Sequence, residues 1–143
     1  MQKRMPLKIL ALSVCSLILL GCEKDAQITY YDKNLKINKI DCLSFVPRDN
    51  PLDKALIKEY KFTTNCPYRL ELSYKSGIVC NSPYNAPQKA TTNFPSAFIT
   101  LQVKKGFGLE YSYYIDLNSK PTIDDVKEGF DRLKSDILKN WVF

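Results

Sequence analysis

The sequence predicts an α+β fold, an antiparallel β-sheet of about five strands with a C-terminal α-helix packed on one face. Three patterns predict it. Tyr68 to Tyr74 alternates strictly, with Tyr68, Leu70, Leu72 and Tyr74 on one side and Arg69, Glu71 and Ser73 on the other. The same period of two recurs across Ala97–Val103 and Leu109–Asp116, separated by a connection with two glycines. Finally, Ile123, Val126, Phe130, Leu133 and Ile137 recur at intervals of three and four, the period of one helix face.

Taken in order, Ile28–Tyr31 and Leu35–Phe45 are rich in β-branched and aromatic residues with partial alternation, and both are expected to be strands. Pro47-Arg48-Asp49-Asn50-Pro51 is a turn. Leu52–Phe62 begins with helical spacing at Leu52, Ala55 and Leu56 and ends as Tyr60-Lys61-Phe62-Thr63-Thr64, so a short helix running into a strand is expected. After the strand at Tyr68–Tyr74, Lys75-Ser76-Gly77 turns the chain into Ile78-Val79-Cys80. Asn81 to Pro95 holds Pro83, Pro87 and Pro95 among polar residues, which forbids regular ladders and predicts a long loop displaying Tyr84 and Phe94. These two aromatics either form a binding surface or tuck back onto the core.

The hairpin follows. Ile99, Leu101 and Val103 share a face, as do Leu109, Tyr111, Tyr113 and Ile115, whereas Thr100, Gln102, Glu110, Ser112 and Asp116 point away. One apolar and one polar face imply an antiparallel sheet wet on one side. Tyr114 then falls on the outward face and could join Tyr84 and Phe94 in a contact patch. The last element is a helix that Thr122 can cap, with Asp124, Asp125 and Glu128 near the positive end of its dipole and Trp141 next in its apolar series. That acidic group lacks the alternating oxygen ligands of a calcium loop, and capping is the expected use.

The amino end has a different character. Met1–Lys8 carries Lys3, Arg4 and Lys8 without an acid, and Ile9–Leu20 is apolar except for two serines. Twelve helical residues cover only about 18 Å, short of the ~30 Å of a membrane span, so the pattern is that of an export signal. Directly behind it stands Leu19-Leu20-Gly21-Cys22, which resembles the lipobox of bacterial lipoprotein precursors. The resemblance covers the export signal alone. It implies cleavage before Cys22, a diacylglyceryl thioether on that cysteine, and acylation of the new amino terminus. Residues 1–21 are then signal peptide, 22–27 a short lipid-anchored tether, and 28–143 a single periplasmic domain. Two or three acyl chains would hold such a protein permanently, because each buried CH₂ contributes about 0.8 kcal/mol. In the sorting rule of that class, aspartate at the second mature position favours the inner membrane. Glu23 stands there, which implies the outer membrane facing the periplasm.

Composition narrows function further. Lys3, Arg4 and Lys8 account for three of the 21 basic residues, leaving 18 against 15 acidic ones, a net charge of +3 spread without a nucleic-acid stripe. There is no histidine, so imidazole triads, histidine-ligated zinc and histidine-ligated haem are all excluded. Glu71, Glu110 and Asp116 could pair for acid–base work only in a cleft that pushes one toward neutrality; as solvated strand residues they need none. Neither a cofactor nor a metal is expected, and the chain does not read as an enzyme. With Cys15 in the signal and Cys22 lipidated, Cys42, Cys66 and Cys80 remain, and an oxidising compartment predicts one disulfide and one spare thiol. Three pairings are open. Cys66 with Cys80, which bracket one strand, is favoured, leaving Cys42 in an apolar stretch as a buried structural thiol. The expected function is a tethered, non-catalytic module binding another periplasmic protein, either a toxin-immunity lipoprotein or an accessory of secretion and assembly. A lipoprotein that carries a lipid or another small apolar ligand is the alternative, and it requires an apolar cavity between helix and sheet.

Overall fold

The computed structural model describes residues 25–79 and 94–139, which share one hydrophobic core. The expected signal peptide, Cys22, Cys80, Tyr84 and Trp141 lie outside the described residues. Five strands form one sheet: β1 (Gln27–Tyr30), β2 (Ser44–Phe45), β3 (Tyr68–Lys75), β4 (Ala97–Lys105) and β5 (Gly108–Leu117). Their order is β1-β5-β4-β3-β2. Every neighbouring pair is antiparallel except the last, in which Ser44 and Phe45 run parallel to Arg69 and Leu70. The sheet is therefore mixed, and the α+β class holds.

Two helices, α1 (Pro51–Leu56) and α2 (Ile123–Ile137), and a 3-10 turn at Lys33–Lys36 complete the described elements. In α2 the sequence signals act as they read. Thr122 Oγ1 accepts from the Asp125 backbone N–H (3.2 Å), and Asp125 Oδ2 accepts from the Thr122 backbone N–H (2.9 Å), a reciprocal capping box. Val126, Phe130, Leu133 and Ile137 are fully buried against the sheet, each contributing about 1.5–3 kcal/mol. From the strands, Leu70, Ile99, Leu101, Val103, Tyr111 and Ile115 meet them, so the alternation of β3, β4 and β5 places its apolar set on this face.

Leu35–Phe45 departs from its strand expectation. Residues two apart share a strand face, yet Leu35 is buried and Ile37 is 84 % exposed. Asp32 instead caps the 3-10 turn by accepting from Asn34 N–H at 2.8 Å. Farther on, the Ile40 N–H donates to the Ile137 carbonyl and the Lys139 N–H donates to the Ile40 carbonyl, so this segment is held by the end of α2 and only Ser44–Phe45 joins the sheet. The expected strand at Tyr60–Thr64 is likewise absent. Its rings serve as packing: Phe62 lies 5.3 Å from Phe45 and 5.9 Å from Phe130, and Tyr60 lies 6.2 Å from Phe130.

The disulfide is Cys42–Cys66, not Cys66–Cys80, with Cα atoms 5.9 Å apart. The parallel pairing explains the partner. Cys42 precedes Ser44 by two residues, Cys66 precedes Arg69 by three, and Ser44 pairs with Arg69, so both sulfurs arrive at the same end of two adjacent strands. With Cys66 bonded to Cys42, the expected Cys66–Cys80 pairing is excluded, because each sulfur forms one such bond. Cys42 is thus a bonded cysteine, and the cysteine left over in the expected domain is Cys80.

Candidate functional site

Both helices and the 3-10 turn gather on one side of the sheet, where α2 contacts β4, α1 and the turn. Among the described residues, the outward side chains of the other face remain exposed or half-buried, except Ser112, which is flanked by Gln102 on β4 and Thr29 on β1. That open face carries two features. At one end, Phe98 on β4 and Tyr114 on β5 are diagonal neighbours whose rings stack 5.7 Å apart at 25°. The Tyr114 hydroxyl donates to Asp116 Oδ1 at 2.6 Å, and this hydrogen bond, with some burial, raises the Tyr114 pKa. At the other end, Glu71 receives Lys104 Nζ at 2.6 Å and Arg69 Nη2 at 2.9 Å. The Lys104 hydrogen bond holds the Glu71 carboxyl below its ordinary pKa, aided by Arg69 and opposed by partial burial. Phe98 and Lys104 are six residues apart on one strand, so about 20 Å of open sheet runs from stacked rings to clustered charges.

A third feature lies on the sheet's edge. Because β2 covers only Arg69 and Leu70, the rest of β3 has no strand on the side away from β4 among the described residues. Arg48 occupies that edge, donating from Nη2 to the Leu72 carbonyl at 2.7 Å. Asp53 holds Arg48 in place, accepting from its backbone N–H (2.8 Å), Nε (3.2 Å) and Nη2 (3.3 Å). Burial by itself would push the Asp53 carboxyl up, but the hydrogen bonds from Arg48 and Asn50 outweigh it and hold the pKa down. Beside the pair is an open recess of about 380 Å³ that includes the exposed Val46. Asp53 and Glu71 are thus both kept ionised, which suits anchoring and makes them weak proton acceptors.

Of the residues singled out from sequence, Tyr114 is on the open face as expected, half-buried under its stack with Phe98. Phe94 is 43 % exposed and stands just before β4, at the same end of the sheet. Phe98 was legible and missed, since its parity with Thr100 and Gln102 puts it outward. Arg48 and Asp53 carry no such signal, because hydrophobic periodicity does not say which strand is an edge. No family model, curated protein or solved structure matches the chain. Among the described residues, no group of three or more His, Cys, Asp or Glu could hold a metal, and no helix is long and apolar enough to cross a membrane. The open face presents an aromatic pair with a polar tip, set on a sheet and bordered by ion-paired charges, the residue types enriched at recognition surfaces.

Proposed function

We propose that this chain is a small envelope lipoprotein, anchored through lipid on Cys22 to the outer membrane and facing the periplasm, whose domain is a non-catalytic module that binds another protein. The observation that carries the reading is the open sheet face with its Phe98–Tyr114 stack. Aromatic side chains in a polar surround are the usual centres of binding energy, and a sheet backbone holds them at little entropic cost. The Cys42–Cys66 disulfide supports export, since such bonds persist in oxidising compartments. The lipobox supplies the anchor, and the partner is either a toxin that the protein neutralises or an envelope component that it escorts.

A lipid carrier would need room between helix and sheet. At the centre of that interface Gly129 abuts Tyr113 so closely that even an added methyl would overlap the ring, which favours protein binding over carriage.

The test has two arms. Mass spectrometry of the protein from its native host is expected to show a chain starting at an acylated Cys22; an unmodified thiol or an uncut precursor sinks the anchor. Photo-cross-linkers placed at positions 98 and 114 are expected to trap one defined protein that a cross-linker at Glu128, on the exposed side of α2, does not. Equal trapping from both faces sinks the binding surface.

A further inference from the structure

We propose that the domain stands on the bilayer with a defined end down: the end of the sheet where β1 begins rests on phospholipid, with Ile78, Val79, Phe94 and Ile123 entering the headgroup region. The inference rests on the lipid-anchor reading and adds an orientation and a second contact to it. Topology brings the four residues to one end. Gln27, the first residue of β1, pairs with Tyr114 near the end of β5. The Ser96 N–H donates to the Leu117 carbonyl at 3.0 Å and the Ile78 N–H to the Ser96 carbonyl at 2.9 Å, so the end of β5, the entry to β4 and the exit of β3 lie together. Ile123 joins them through a cleft of about 310 Å³ that it lines with Ser76, Tyr74 and Lys120.

All four apolar side chains are exposed there: Val79 at 68 %, Phe94 at 43 %, Ile123 at 42 % and Ile78 at 38 %. The anchor explains why such exposure is tolerable. Five peptide units separate Cys22 from Gln27, so the first residue of β1 can stand no more than about 18 Å, Cα to Cα, from the lipidated cysteine. A weak apolar contact then acts within one molecule and needs no affinity of its own. Lys75 and Lys120 are exposed at this end, but Asp116 and Asp124 are too, so apolar burial and not net charge holds the contact. The opposite end provides the contrast. Phe107, in the β4–β5 turn, is fully exposed and, with nine residues of β4 between, roughly 30 Å from the lipid-facing end.

The experiment uses the full, lipidated protein in phosphatidylethanolamine–phosphatidylglycerol vesicles, with Trp141→Phe removing the single native tryptophan and Phe94→Trp, Ile123→Trp or Phe107→Trp each supplying one reporter. Thermal melts verify that each variant is folded, and two reporters at the lipid-facing end guard against loss of one. Emission from positions 94 and 123 is expected to shift to the blue, to be strongly quenched by brominated acyl chains and to change little with salt, while position 107 stays unquenched. Equal quenching at all three positions, or none, in a sample whose mass shows acylated Cys22 overturns the orientation and leaves the anchor standing. A sample without acylation at Cys22 overturns both.

Discussion

Gly129 of α2 lies flat against the ring of Tyr113 on β5, so close that a Cβ added at Gly129 would sit 2.7 Å from Cε1 of the ring and 3.2 Å from Leu101 Cδ1. The ring has no room to give way, because it is 3 % exposed and held between Ile28 on β1 and Leu101 on β4. Gly129→Ala should therefore destabilise the protein. The gain in helix propensity, about 1 kcal/mol, is outweighed by overpacking of about 1–3 kcal/mol. Urea unfolding should show a net loss of about 1 kcal/mol, and a larger one for Gly129→Val; a stabilised alanine variant would mean that helix and sheet are not in such close contact.

The Cys42–Cys66 bond closes a loop with a sequence separation of 24, which in the chain-entropy picture stabilises by about 3–4 kcal/mol. The double variant Cys42→Ser, Cys66→Ser should melt roughly 10 °C or more below the parent. Cys80→Ser, by contrast, should leave the melting temperature of the oxidised protein nearly unchanged. The opposite ranking would mean that Cys66 bonds with Cys80.

Sequence revealed the elements whose pattern is imposed by one buried face. β3, β4, β5 and α2 each show their period because slipping by one residue would expose Leu70, Leu101 or Phe130. Elements held by particular hydrogen bonds are silent in that code. Ile40 is fixed by the backbone at the end of α2, and no periodicity announces it. The disulfide was misread for the same reason: Cys42 reaches Cys66 only through the two-residue parallel strand β2, too short to leave a pattern. At the candidate site, parity places both Tyr114 and Phe98 on the outward face, while their stacking depends on the register of β4 against β5. The Arg48–Asp53 cap was beyond reach, because an edge is defined by what does not pair.

Asp53 should make stability depend on acid pH. Its folded pKa lies below the ordinary carboxylate value, so its contribution is complete above that ordinary value and fades as pH falls through the depressed one. Glu71 acts in the same direction but more weakly, since water screens Arg69 and Lys104. Asp53→Ala leaves the Arg48 N–H without its acceptor and should cost about 2 kcal/mol at neutral pH. Between pH 6 and pH 2 the variant's urea midpoint should also fall less than the parent's. Parallel pH curves would show that Asp53 is not the titrating group.

Tyrosine sets the alkaline limit. Burial raises the Tyr113 phenol to about 12, with Glu128 and Asp125 adding to it. Burial also raises Tyr111, together with its 2.8 Å hydrogen bond to Asp136. A phenol whose folded pKa exceeds its unfolded value stabilises fully below the unfolded value near 10, and that contribution is lost as pH rises through the folded one. Tyrosinate absorbance from Tyr111 and Tyr113 should therefore appear only with unfolding. A single smooth titration before any loss of secondary structure would refute the burial.

Phe98 and Tyr114 separate binding from folding more cleanly than any other pair. They are half-buried on a face that no described element covers, and the stack between them is worth about 0.5–1.5 kcal/mol beyond the area it hides. Phe98→Ser and Tyr114→Ser should each cost the fold about 1–3 kcal/mol, the stack plus the partly buried area, leaving the urea transition cooperative. Phe130→Ala, which empties the core on the opposite side of the sheet, should cost about 3–5 kcal/mol. Binding should rank them the other way. If the two rings are the centre of the interface, each serine variant loses at least about 2 kcal/mol of affinity, some thirtyfold, for the protein cross-linked through position 98. Measured at a temperature where it is still folded, Phe130→Ala should bind that protein as the parent does. A Phe98→Ser variant that unfolds as late as predicted yet binds with full affinity would move the recognition surface off the open face.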